Sequence, residues 1–183
     1  MSDATVYQLQ NSLKKAKIKL GKLQYRNRNK QLGKRKLGIK ASKNAQKFYR
    51  NQTKQHADIA QGRRDFLQKT TTEISQKYSR IRIEDLNVSG MVANHKLAAS
   101  VVDSGFYEFR RFLTYKSPIY GTVVEVVDRW YPSSKTCSSC RHVQPMPLQA
   151  RVFVCEACGN NCNRDLNAAI NLASVSFISS KDG

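Results

Sequence analysis

Val6, Leu9, Leu13, Ala16, Leu20 and Leu23 recur at alternating steps of three and four residues, which draws one apolar stripe along a helix. Lys14, Lys15, Lys17, Lys19 and Lys22 fall around its remaining faces. "GKRKLGIKAS" then breaks the pattern with two glycines, and Ser42 is placed to cap a second helix over residues 43–77, where Phe48, Tyr49, Ile59, Phe66 and Leu67 stand among polar positions. The two helices predict an antiparallel hairpin with a basic tip. At residue 80 the period changes to two: "RIRIEDLN" alternates and then stops at Glu84 and Asp85, as a strand with an exposed end does. A helical region from Asn94 to Lys116 follows, with Leu97, Val101, Phe106, Phe109, Phe112 and Leu113 on its apolar face, and "TVVEVVDRWY" reads as a buried strand ending near Trp130. Strand, helical crossover and strand predict a parallel pair.

Charge sharpens this picture. The 183 residues carry a formal net charge of +19, distributed unevenly: residues 1–64 hold 18 Lys or Arg against Asp3 and Asp58, and the remaining 119 hold 14 against 11 acids. A basic half joined to a nearly neutral one predicts an electrostatic arm for nucleic-acid phosphates on a folded body. Lys34, Arg35 and Lys36 at the hairpin tip, Arg63 and Arg64, and Arg110, Arg111, Arg129 and Lys135 are the candidate contacts, with solvated surface as the alternative for each. "MSDATVYQLQ" contains no apolar signal segment and the apolar runs are short, so no membrane partner is expected and the location is expected to be cytoplasmic.

In a reducing compartment five cysteines stay thiols, and "CSSCRHVQPMPLQARVFVCEAC" sets two Cys-x-x-Cys pairs fourteen residues apart. Cys137, Cys140, Cys155 and Cys158 suit a closed tetrahedral Zn2+ site, with "RVFV" as the returning strand of a short hairpin; buried or redox thiols are the alternative. His142 and Cys162 are not needed as ligands. Trp130 and Tyr131, just before the first pair, are expected to pack against the small core of the ribbon rather than to stack on a base. "NRDLNAAINLA" follows, an amphipathic helix with Leu166, Ala169, Ile170 and Ala173 toward a core and Asp165 at its start. A lone acid there is usually a cap or a dipole partner. Glu84 at a strand end together with Asp165 at a helix start is, however, the kind of oxygen-ligand pair that two divalent ions, Mg2+ or Mn2+, require for phosphodiester cleavage.

"IRIEDLNVSGM", "FYEFRRFLTYK", "DRWYPSSKTCSSC" and "CEACGNNCNRDLNAAINLA" together resemble the carboxy-terminal half of the TnpB (OrfB) proteins of bacterial insertion sequences, apparent ancestors of the type V CRISPR effectors, and "SKNAQKFYRNQTKQHADIAQGRRDFLQK" resembles the helical segment before the family's glutamate strand. The resemblance implies an α/β fold: an incomplete RNase H-like (RuvC) nuclease domain with a basic helical hairpin and an inserted four-cysteine zinc ribbon. The expected layout is a hairpin over 1–77, the RuvC-like part over 78–136, the ribbon over 137–160 and a terminal RuvC-like helix and tail over 161–183. It also implies a transposon-associated protein that binds a guide RNA and cuts matching DNA, located at the nucleoid of a prokaryote. Of the family's three catalytic acids, Glu84 matches the second through "IEDLN" and Asp165 the third through "RDLNAA". The first, on a Gly-x-Asp strand, has no counterpart before Val6; Asp3 lacks the surrounding apolar strand, and Asn163 stands where the family often has a further acid. Activity is therefore expected only when an amino-terminal TnpB fragment or full-length protein supplies the missing aspartate. The alternative is a nuclease-dead, stand-alone RNA- or DNA-binding zinc-ribbon module; a ribosome-associated zinc protein fits the composition but not the four motifs.

Overall fold

Two helices carry the basic half. The computed structural model describes residues 1–7, 11–34, 37–147 and 149–176, and the chain divides into two units, residues 8–70 and residues 1–7 with 71 onward. In the first unit, α1 (Asn11–Arg26) buries Leu20, and α2 (Lys43–Lys77) buries Ala45, Phe48, Ile59 and Leu67. The Ser42 hydroxyl accepts the Ala45 N–H at 3.2 Å, which makes it the cap that the sequence predicts. Val6 does not join the stripe: it lies exposed in the irregular segment 1–7. Leu9, Arg35 and Lys36 fall outside the described residues, as do the side chains of Leu13 and Leu97. Between the helices, Lys34 and Ile39 form an antiparallel bridge around Gly38, whose φ of 64° is cheap only for a residue without Cβ. The Tyr49 hydroxyl donates to the Lys30 carbonyl at 2.7 Å.

The second unit is built on two parallel strands, β1 (Arg80–Glu84) and β2 (Val123–Val127), in register Arg80↔Val123 through Glu84↔Val127. The predicted helical crossover is three helices rather than one region: α3 (Val88–Ala93), α4 (His95–Ser104) and α5 (Phe106–Tyr120). Gly105, in the left-handed conformation, separates the last two, and Gly121, also left-handed, ends α5 with its N–H on the Ser117 carbonyl. Alternation along the strands gives the sheet two faces. Ile81 and Ile83 pack with Ile74 of α2, Leu113 and Phe109 of α5, Val124, Met1 and Tyr7. The other face carries Arg82 and Glu125, paired across the strands at 2.7 Å. Lys116 of α5 is buried; its ammonium donates to the hydroxyls of Thr71 and Thr72 at 2.8 and 2.7 Å, and burial pushes its pKa below the usual lysine range.

β3 (Val152–Val154) pairs antiparallel with β4 (Asn161–Asn163), so "RVFV" opens a hairpin around the second cysteine pair instead of returning from the first. α6 (Arg164–Ala173) packs against β1, β3 and β4. Arg82 donates to the Ala173 carbonyl, fastening the end of α6 to the charged face of the sheet. Among the described residues, no helix is long and apolar enough to cross a membrane.

Candidate metal centre and acidic cleft

The two Cys-x-x-Cys segments fold alike. In the first, Cys137 N–H donates to the His142 carbonyl at 2.8 Å and Arg141 N–H to the Cys137 carbonyl at 3.0 Å; in the second, Cys155 N–H donates to Asn160 and Gly159 N–H to Cys155 at 2.9 and 3.0 Å. Each knuckle turns on a left-handed residue, Arg141 (φ 67°) and Gly159 (φ 71°). These turns bring the Sγ atoms of Cys137, Cys140, Cys155 and Cys158 within 4.8 Å of one another, and they are the one group of three or more metal-type side chains that comes together among the described residues. Cys137–Cys158 and Cys140–Cys155 are 3.7 and 3.6 Å apart. A zinc ion with bonds of about 2.3 Å requires tetrahedron edges of about 3.8 Å, so the donor set fits it. Burial pushes the Cys137 thiol up, but the N–H groups of Cys140 and Ser139 and the neighbouring thiols outweigh that and draw it below the usual thiol range. Against the pull of the His142 N–H, the neighbouring thiols push Cys140 up, so that the cluster shares its protons. Apart from these sulfurs the segment has little core: Phe153 is fully buried, with Met146 and Cys162 packed against it. A core this small is of the kind that metal binding completes. Neither Cys162 nor His142 joins the thiol group.

α6 is locked to this centre by residues the hydrophobic pattern does not reveal. Leu166, Ala169 and Ile170 are only half-buried and Ala173 is exposed, whereas Asn167 and Asn171 are completely buried. Asn167 Nδ2 donates to the Thr136 carbonyl at 2.7 Å and its Oδ1 accepts from Ser138 N–H at 2.9 Å. Asn171 Nδ2 reaches the carbonyls of Ser133 and Thr136 at 2.8 and 2.6 Å, and its Oδ1 accepts from Arg141 at 3.1 Å. That bond, and a second to the Ser174 hydroxyl at 2.9 Å, explain a non-glycine residue at the strained Arg141 position. The available signal was two asparagines at i and i+4, a residue type that weakens helix interiors unless its amide is used.

The acids divide by partner. Asp85 lies just beyond β1 and is held by Arg110 at 2.9 Å and by Arg129 through Nε at 3.0 Å and through Nη2; the Arg129 hydrogen bonds hold its carboxyl below the usual range. Glu125 is taken by Arg82, with Arg80 at 3.7 Å. Glu84 is half-buried in a cavity of about 480 Å³, lined also by Leu86, Phe106, Tyr107, Arg110 and Arg129, and no described cation pairs with it. Burial pushes its pKa up. By alternation it shares the face of Arg82, the side on which α6 is fastened. Asp165, in the first turn of α6, is not the cap; the Asn163 side chain is, accepting from the N–H groups of Asp165 and Leu166 at 2.9 and 3.2 Å. This leaves the Asp165 side chain 74% exposed, with Arg164 at 3.7 Å. Asp3 is bound by Tyr78 and Lys77, before the opposite end of β1 from Glu84.

The predicted phosphate contacts are dispersed. Lys34, Arg64 and Lys135 are exposed, Arg63 is half-buried near Lys17, and Arg111 meets Glu108 at 3.4 Å and lies over the Phe112 ring. Arg110 and Arg129 gather at the Glu84 cavity. The expected packing of Trp130 against the ribbon core does not occur: the residue is 84% exposed, because the turn after β2 directs it outward, while Tyr131 is half-buried.

Residues 4–95 match the family model OrfB_IS605, described as a probable transposase. This chain belongs to that family, the OrfB or TnpB proteins. Residues 106–172 match the TNB domain of Cas12f1-like proteins. A Streptomyces pristinaespiralis protein provisionally named an RNA-guided DNA endonuclease is 39% identical over 145 residues, covering 79% of this chain and 36% of the relative. Escherichia coli InsQ, provisionally named likewise, is 36% identical over 188 residues, covering 94% and 44%, and the TnpB-like protein L79 of Acanthamoeba polyphaga mimivirus is 31% identical over 140, covering 73% and 26%. This TnpB chain thus spans less than half the length of these relatives. In fold it is similar to Cas12f, in a ternary complex (TM-score 0.64, 22% identity, 91% of this chain and 33% of that one) and in a Cas12f1–sgRNA–target DNA complex (0.55, 22%, 68% and 37%).

Proposed function

We propose that this chain is the RuvC-like and zinc-ribbon portion of an RNA-guided DNA endonuclease, in which Glu84 and Asp165 hold Mg2+ and the four cysteines hold a structural Zn2+. The observation that carries the reading is the selective freedom of Glu84: Asp85 and Glu125 are both neutralised by arginines, while Glu84 bears the cost of burial and, although Arg110 and Arg129 line the same cavity, no described cation pairs with it. An acid held in that state is suited to a metal rather than to an ion pair. Zinc, by closing the knuckles, fixes the carbonyls to which Asn167 and Asn171 bind, and through them the helix bearing Asp165. The chain's basic helices and exposed lysines hold guide RNA and DNA phosphates. Mg2+ at the acids would activate water and stabilise the leaving oxygen. The partner that completes the acid set is an amino-terminal TnpB segment, since Asp3 is engaged before the other end of β1.

The test combines this chain, a guide RNA, Mg2+ and an amino-terminal TnpB fragment supplied in trans. Cleavage of matching DNA is expected, and its loss in Glu84→Gln and in Asp165→Asn. Cleavage indifferent to both substitutions refutes the reading. Salt-sensitive binding with no cleavage in any combination favours the second reading, a nuclease-dead nucleic-acid-binding module, for which the engagement of Asp3 away from Glu84 is the supporting observation.

A further inference from the structure

Trp130 is the single tryptophan of the chain and, among the described residues, the most exposed large apolar side chain. Removing an indole from water is worth a great deal, so one held in solvent at a fixed position is available to a partner. Its backbone is not loose. The Asp128 carboxylate accepts Trp130 N–H at 2.7 Å, Tyr131 N–H donates to the Asp128 carbonyl at 3.1 Å, and Ser133 N–H to the Tyr131 carbonyl at 2.7 Å. The preceding residue, Arg129, is forked onto Asp85. The turn is therefore anchored on both sides of the indole.

Its position matters as much. Trp130 stands three residues beyond Val127, the register partner of Glu84, which keeps its Cα within about 11 Å of Val127 even if the turn were fully extended. Arg129 lines the Glu84 cavity, and on that cavity's wall Tyr107 is 72% exposed. An exposed indole next in the chain to a residue of the cleft wall, with an exposed ring and guanidinium groups on that wall, matches the chemistry of an unpaired nucleotide strand, whose bases present π-faces and whose backbone carries charge. An apolar protein segment would gain nothing from the two guanidinium groups, whose charge the single Asp85 carboxylate only partly cancels.

We propose that Trp130 is a stacking platform for an unpaired nucleobase, seating a single strand that runs into the Glu84 cleft. The inference rests on the proposed nucleic-acid function and adds the residue that positions the strand. Stacking of this kind tolerates any base and either sugar.

Because Trp130 is the sole tryptophan, its fluorescence reports on this site alone. The full zinc-loaded chain is titrated with dT15, with U15 and with an abasic deoxyribose-phosphate strand of equal length, while anisotropy of a labelled strand follows binding independently. Quenching by dT15 or U15 but not by the abasic strand is expected. Trp130→Ala should weaken dT15 or U15 binding by roughly 5- to 150-fold, the equivalent of one stacked base, with Trp130→Phe restoring most of it and neither changing abasic-strand affinity. Binding by anisotropy without quenching, and unchanged in Trp130→Ala, overturns the platform and leaves the nucleic-acid function standing. Absence of binding to all three strands at low salt overturns both.

Discussion

Asn167 and Asn171 share one acceptor, and this makes their coupling measurable. In Asn167→Ala the half-buried Ser138 N–H loses its partner, at a cost of about 1–3 kcal/mol, but the Thr136 carbonyl keeps its bond to Asn171. In Asn171→Ala the Ser133 carbonyl is orphaned and Arg141 loses its amide partner, for about 2–4 kcal/mol, and Thr136 keeps its bond to Asn167. Only the double substitution strips Thr136 of both side-chain amides. The double variant should therefore exceed the sum of the singles by about 1–2 kcal/mol. Hydrogen exchange at the Cys137 and Arg141 amides in zinc-loaded protein measures this locally, since both are bonded within the first knuckle. Each single change should speed exchange by roughly 5- to 800-fold, and the cycle should retain a further factor of about 5 to 30. Additivity within about 0.3 kcal/mol would refute the shared-acceptor clamp.

Cys155→Ser should abolish stoichiometric binding of zinc, or of cobalt read by its thiolate absorption, and release α6 from protection, whereas Cys162→Ser should leave metal content unchanged. Burial raises the folded pKa of Glu84 above its unfolded value, so its protonated form is the one that folding favours, and that contribution is lost as pH rises through the folded pKa. Glu84→Gln should accordingly raise the thermal midpoint in Mg2+-free buffer above the ordinary glutamate range, about pH 4.3, with the difference vanishing below it; the same difference at low and at neutral pH would contradict the burial argument. Asp85→Asn removes the counter-charge of Arg110 and Arg129, and should tighten single-strand binding and steepen its salt dependence by up to about two phosphate contacts, read from the slope of log affinity against log salt.

Local order in the sequence determined α2, the cap at Ser42, the strand ending at Glu84 and the four metal-type cysteines, because each is encoded in a short repeat, a turn residue or a fixed spacing; the parallel β1–β2 pair followed from the order strand, helical crossover, strand. The family resemblance was legible for the same reason: its motifs are short runs at ordered separations. Tertiary structure decided the rest. The buried side of α6 belongs to Asn167 and Asn171 because the carbonyls that accept their amides lie some 30 residues earlier, and no helical periodicity records a partner so distant. Trp130 faces solvent because Asp128 and Asp85 set the turn around it, a matter of backbone geometry that hydropathy misreads as core. Glu84 differs from Asp85 and Glu125 in being half-buried with no described arginine paired to it, and that is fixed by strand register and by where α5 crosses the sheet. Composition supplies the charges; long-range contacts choose which are paired and which are not.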